Sequence, residues 1–423
     1  MFRLPYIKNM PDPAVNPSAP SVSSGIPRTV WVLGFVSMLM DISSEMIHSL
    51  LPVFMVTVLG TSATMVGLLE GIAEATALIV RIFSGALSDH LGKRKWLAAL
   101  GYGMGALSKP LFALAGSAGL IFGARFIDRV GKGIRGAPRD ALVADVTPPA
   151  LRGAAFGLRQ ALDTVGAFTG PLVAVALMLL WHNDFRAVFW VAVIPGLLSF
   201  ALIVFAVREP ARQAPLPRQA RPFPISRAAL ALLPPVYWQV VTAGAVLTLA
   251  RFSEAFLVLR AQQAGLALAL IPLVLVVMNL VYAAFAYPFG KLADRMSRKT
   301  LLLLGILPLI AADLLIAHKA ELAWLAAGLV CWGMHMAATQ GLLAAMVADA
   351  APPSLRGTAF GMFNLASGVT MLIASVLAGV LWDQFGAPAT FYAGAGLALL
   401  AMGLILRSGA DTGANIDQSS GIE

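Results

Sequence analysis

The chain has 423 residues, 59% of them hydrophobic and only 12% charged, with a formal net charge of +9. A soluble domain holds about 25% charged residues, so this composition, with mean hydropathy +0.81, excludes an ordinary soluble protein and points to the lipid bilayer. The basic excess sits in short clusters between apolar runs, which argues against a nucleic-acid partner, and the single cysteine, Cys331, rules out an internal disulfide or a thiolate metal cage.

In chain order, residues 1–28 are polar and proline-rich and contain no apolar core of a signal peptide, so they read as a cytoplasmic tail. Runs of about 20 apolar residues then predict membrane-spanning helices near 30–59, 62–88, 96–116, 119–146, 153–180 and 186–207. An Arg- and Pro-rich stretch follows and marks 208–234 as a cytoplasmic linker. Six more runs lie near 236–261, 266–290, 300–318, 322–350, 356–382 and 388–407, and a polar, disordered tail is expected over 408–423. The expected architecture is an all-α membrane protein of twelve transmembrane helices, divided into six-helix bundles at 29–207 and 235–407.

Basic residues fall on alternate connections: Lys93, Arg94 and Lys95, then Arg152, then the linker, then Lys291, Arg295, Arg298 and Lys299, then Arg356. That alternation places both termini in the cytoplasm. The halves also repeat. "ALVADVTPPALRGAAFG" at 141–157 returns as "AMVADAAPPSLRGTAFG" at 345–361, "GALSDHLGKRK" at 85–95 as "GKLADRMSRKT" at 290–300, and "SSEM" around Glu45 as "FSEA" around Glu254. A duplicated six-helix unit with parallel halves is one of the known transporter architectures.

The fourth run is unusual. "RFIDRVGKGIRGAPRD", residues 125–140, carries Arg125, Asp128, Arg129, Lys132, Arg135, Arg139 and Asp140. On an ideal helix these charges share an arc of about 140°. Each charge facing lipid would cost about 2.5–3.5 kcal/mol near the membrane centre even on the lenient insertion scale, so the arc must face water or other charges. Helix 1 offers Asp41, Glu45 and His48, helix 2 Glu70, Glu74 and Arg81, and helix 5 Arg159 and Asp163. Seven bases (81, 125, 129, 132, 135, 139, 159) thus meet seven acids (41, 45, 70, 74, 128, 140, 163), enough for a largely paired network. Two readings follow: a network that exchanges protons as an Arg moves past a carboxylate, or a fixed brace between helices. The second half is sparser, with Arg251, Glu254, Asn279, His335, Gln340 and Asn364 as candidate cavity residues. No metal-ligand array or nucleophile motif is found, and "GKG" at 131–133 lacks the spacing of a phosphate-binding loop, so neither enzyme activity nor a metal or other cofactor is expected.

"GALSDHLGKRK" and its second copy resemble the loop 2–3 signature of the major facilitator superfamily. "RFIDRVGKG" resembles that family's helix-4 motif, with Arg125 at the motif arginine, and "GAFTGP", Gly166 to Pro171, resembles the antiporter motif of helix 5 with Gly166, Gly170 and Pro171 in place. The resemblance covers about 30–407. It implies a carrier that works by alternating access, moving a small molecule and protons through the bilayer, as a monomer in a bacterial inner membrane. It also implies gating at Gly85, Asp89, Gly92 and Arg94, with Arg139 a partner for Asp89, and at Gly290, Asp294 and Arg295. The antiporter motif tilts the expected direction toward efflux. The alternatives are a proton symporter importing an organic anion or a metal chelate, and a non-transporting sensor or scaffold.

Overall fold

The computed structural model describes residues 25–91, 93–209, 230–293, 295–339, 341–352 and 355–407. Most of the expected tails and linker lie outside the described residues, as do Gly92, Asp294 and Gln340 and the side chain of Asp89. In hydrocarbon a backbone can bond its own polar groups only within helices or closed barrels, and the described residues form helices and turns with no strand. The first half comprises α1 (Arg28–His48), α2 (Leu51–Thr57), α3 (Ala63–Leu91), α4 (Arg94–Ala113), α5 (Ala118–Val146), α6 (Arg152–Leu180) and α7 (Phe185–Phe205). In the second are α8 (Pro235–Ala250), α9 (Ala255–Gln263), α10 (Leu273–Ala293), α11 (Arg298–His318), α12 (Leu322–Thr339), α13 (Leu342–Ala350), α14 (Arg356–Phe385) and α15 (Ala387–Arg407).

Among the described residues ten segments are long and apolar enough to cross a membrane, with α1–α2, α8–α9 and α12–α13 each forming one interrupted segment. The remaining two, α4 and α5, have 20 and 29 residues, so length is not what they lack. Their charges lower the hydropathy, and packing shelters those charges: α4 lies against α5 and α7, and α5 against α3. The three interruptions were not expected from the apolar pattern. Pro52, with no N–H to donate, sits in the first turn of α2, and Gly341 takes φ +86°, a left-handed conformation that restarts the helix as α13. Between α8 and α9 the backbone leaves the helix at Arg251 and re-enters it after Glu254.

The halves meet along α3 and α14, with α2 against α9 and α6 against α10. Small residues set the α3–α14 contact: Gly71 abuts Leu372, and Gly368 abuts Ala75. One apolar core joins the halves at this end, linking Phe54 and Leu69 to Phe256 and Ala374, and continues within the second half to Leu301 and Val347. Toward the end that carries the chain termini, the first half keeps a separate core around Leu33, Met40, Ala98, Leu142 and Ile203. The interface is therefore closed at one end and parted at the other, leaving a cleft between the bundles. Duplication is visible in the packing too. Arg94 bonds Asp145 at 2.6 Å, and Arg298 bonds Asp349 at 2.8 Å, so in each copy the arginine that opens the helix after the signature loop holds the equivalent aspartate.

Candidate functional site

The charges of α5 turn inward. Arg125, Asp128 and Arg129 are each 2% exposed and Arg135 is 5% exposed, so the stripe faces the bundle and not lipid. α6 packs closely against α1. Gly166 lies against the backbone of Met38 and the Cβ of Asp41, and Gly170 against Ile42 and Glu45, a small-xxx-small contact of the kind that lets membrane helices touch.

Within this frame the charges pair in layers. Nearest the closed end, Arg125 donates to Glu70 at 2.7 Å, and His48 stands 3.6 Å from both Glu70 and Glu45. In the middle layer Arg129 meets Glu74 at 3.0 Å, while Lys109 of α4 donates to Asp128 at 2.7 Å and to Ser44 at 3.0 Å. Toward the open end Arg139 donates to Asp140 at 3.0 Å and to Ser37 at 2.9 Å, and Arg159 bonds Asp163 at 2.5 Å. Arg135 lies over the ring of Tyr102, 5.0 Å from its centroid, a cation–π contact. Ion pairs this deep are stable only if both partners are present, because a lone buried charge loses its hydration without compensation.

Two charges of the first half stay outside the layers. Asp41, partly exposed, makes no ion pair within 4.0 Å, and Lys132, exposed between the buried Gly131 and Gly133, makes none either among the described residues. They lie close enough to interact electrostatically across the cleft wall without touching. From the second half Glu254 comes within electrostatic range of His48, Glu45 and Glu74, and Arg251 stands beside it at the break between α8 and α9. Non-helical backbone at this depth is tolerated where it lines a cavity.

Other expected site residues fall elsewhere. Arg139 engages Ser37, Asp140 and Asp163, and Arg94 engages Asp145, so the pairing of Arg139 with Asp89 falls on a side chain outside the described residues. Arg295 is exposed, and Gly290 has open space where a Cβ would stand. His335 is buried completely, its Nδ1 2.7 Å from the Gly305 carbonyl of α11, so it belongs to the α11–α12 packing and is corrected from the cavity list. Asn279 and Asn364 are partly exposed. Lys109, Ser37, Ser44 and Tyr102 escaped the sequence reading, which counted seven bases where the network holds eight. A lysine inside an apolar run, before Pro110, was the available signal.

Two interleaved bundles around a charged cleft have clear counterparts. The sequence matches the Major Facilitator Superfamily over residues 33–259 and 254–420. The chain belongs to that superfamily. This facilitator is 33% identical over 387 residues to an uncharacterised MFS-type transporter of Methanocaldococcus jannaschii, covering 90% of this chain and 94% of that one. It is 25% identical over 222 residues to the quinolone resistance protein NorA of Staphylococcus aureus, which is 52% of this chain and 54% of that protein. Among solved structures, the nucleoside transporter NupG superposes with a TM-score of 0.73 at 13% identity, over 90% of this chain and 98% of that one. Facilitators are membrane transporters of small molecules, and the fold of this one agrees with that general function.

Proposed function

We propose that this facilitator is a proton-coupled efflux carrier, an antiporter that works as a monomer in the bacterial inner membrane with both termini in the cytoplasm. One observation carries the coupling: of the seven carboxylates in the first-half network, Asp41 alone has no ion-pair partner among the described residues, and it is partly exposed. A carboxylate locked to an arginine gives up its proton permanently, whereas one beside a cleft and near movable cations can take and release a proton as those cations shift. The basic connections lie at the open end, so the positive-inside asymmetry makes this the state open to the cytoplasm. Solute enters there and displaces the proton from Asp41. Closure at the cytoplasmic end and opening at the other then lets an incoming proton displace the solute.

Supporting the outward direction are the helix-5 glycines, which bring α6 against Asp41, and the partial likeness to a quinolone resistance protein. Proton-linked import of an organic anion or metal chelate is the second reading, favoured by the exposed Lys132. An anion on that lysine would favour a proton on Asp41, so the two would bind together and travel in the same direction.

Proteoliposomes holding the full chain decide between them, with a quinolone as the first probe and a trapped pH dye as the second readout. Efflux predicts proton movement opposite to solute, and Asp41→Asn should lower gradient-driven accumulation at least tenfold and uncouple any remaining solute flux from proton movement. Accumulation in right-side-out vesicles driven by inward proton flow would replace export by import. Absence of any flux across a broad solute panel would favour a sensor or scaffold.

A further inference from the structure

We infer that the transported solute is amphoteric, carrying an anionic group received by Lys132 and Arg251 and a cationic nitrogen received by Asp41 and Glu254; this rests on the carrier reading above. The argument is one of charge balance at the middle of the cleft. The layered pairs of the first half consume Glu45, Glu70, Glu74, Asp128, Asp140 and Asp163. Arg135 also lacks an ion pair but is buried over the Tyr102 ring. Among the described residues, what remains without an ion pair and at least partly exposed at this depth is one base and one acid from each half: Lys132 and Asp41 on α5 and α1, Arg251 and Glu254 at the break between α8 and α9.

Alternating access requires the cleft to close around its cargo. As it closes, water leaves, and every charge without a partner loses its hydration. A solute of one sign would satisfy two of the four groups and strand the other two. An amphoteric solute satisfies all four, and it does so by touching both halves at once, which is the contact that closure needs. The sign of proton coupling agrees. The cationic end of such a solute competes with the proton for Asp41, which gives exchange in opposite directions, whereas an anion alone on Lys132 would favour co-binding of the proton. Lys132 and Asp41 are near enough to feel each other yet more than 4.0 Å apart, a gap that a bridging group can enter.

Binding to the purified full chain in detergent, with no pH gradient, tests the charge class separately from coupling. The probes are phenylalanine, tryptophan and para-aminomethylbenzoic acid, each with its methyl ester (cation only) and its N-acetyl derivative (anion only). At least one parent compound should bind ten times more tightly than either derivative. Lys132→Gln should bring that parent down to its ester and leave the ester unchanged, Asp41→Asn should bring it down to the N-acetyl form, and Lys132→Arg should restore most of the affinity. Esters that bind as tightly as parents, equal loss of parent and ester in Lys132→Gln, or no binding by any parent would each overturn the inference. If charge-class discrimination holds but vesicles show no proton exchange, the antiport mechanism fails and the amphoteric assignment stands.

Discussion

Lys109 is 1% exposed and bonded to Asp128, and its removal would leave a carboxylate that is 2% exposed with only the more distant Arg129, 3.8 Å away, as counter-ion. Breaking a buried pair from one side costs about 3–5 kcal/mol, whereas replacing both members by apolar side chains of similar volume is often neutral. Lys109→Met is therefore expected to lower the thermal unfolding midpoint sharply, and Lys109→Met with Asp128→Leu to recover most of the loss. Unfolding of the four proteins of this double-mutant cycle in detergent checks it; a loss in the double variant equal to the sum of the two single losses would show that the pair contributes nothing. Asp313 of α11 presents the opposite case: it is fully buried, and neither carboxylate oxygen has a hydrogen-bond partner among the described residues. Such a group costs about 1–3 kcal/mol, so Asp313→Leu should raise the unfolding midpoint, and a lower midpoint would show that the site needs its acid.

At the scale of elements, α6 carries its own control experiment. Gly166 and Gly170 lie against α1, where an added Cβ would stand 2.6 Å from the Met38 carbonyl and 2.8 Å from the Cβ of Glu45. Gly153 and Gly157, on the same helix, have open space in that position. Overpacking a close contact costs about 1–3 kcal/mol. Gly166→Ala and Gly170→Ala should therefore lose stability and transport rate, and Gly153→Ala and Gly157→Ala neither, as read from unfolding midpoints and vesicle flux. Equal effects at all four glycines would mean that the α1–α6 approach is not what the motif serves.

In the whole molecule, closure of the end remote from the termini has an identifiable clasp. The carboxylate of Asp383 at the end of α14 accepts from the backbone N–H groups of Ala63 at 3.0 Å and Thr64 at 2.8 Å, capping α3 from the opposite half. A side-chain cap contributes about 1 kcal/mol, and a carboxylate at a helix N-terminus is further favoured by the dipole. Because donor and acceptor belong to different bundles, that energy acts on the open–closed balance of this end. A loss of about 1 kcal/mol changes the population ratio about fivefold. Asp383→Ala should speed labelling of a cysteine placed at Ser62, in a Cys331→Ser background, by about that factor; an unchanged labelling rate would remove the clasp.

Sequence alone determined that this chain spans a bilayer, that its two halves are copies, and that α5 must turn its charges away from lipid. Those conclusions rest on the cost of polar groups in hydrocarbon, a cost each residue incurs wherever its partners are. Partnership itself was decided by the tertiary structure. Glu70 with Arg125, Glu74 with Arg129 and Lys109 with Asp128 join different helices, and spacing along one helix carries no information about which residue of another it meets. The same holds for what stays unpaired. Asp41 on α1 and Lys132 on α5 stand apart from the network because of how those helices pack, a property of the folded bundle and of neither helix by itself.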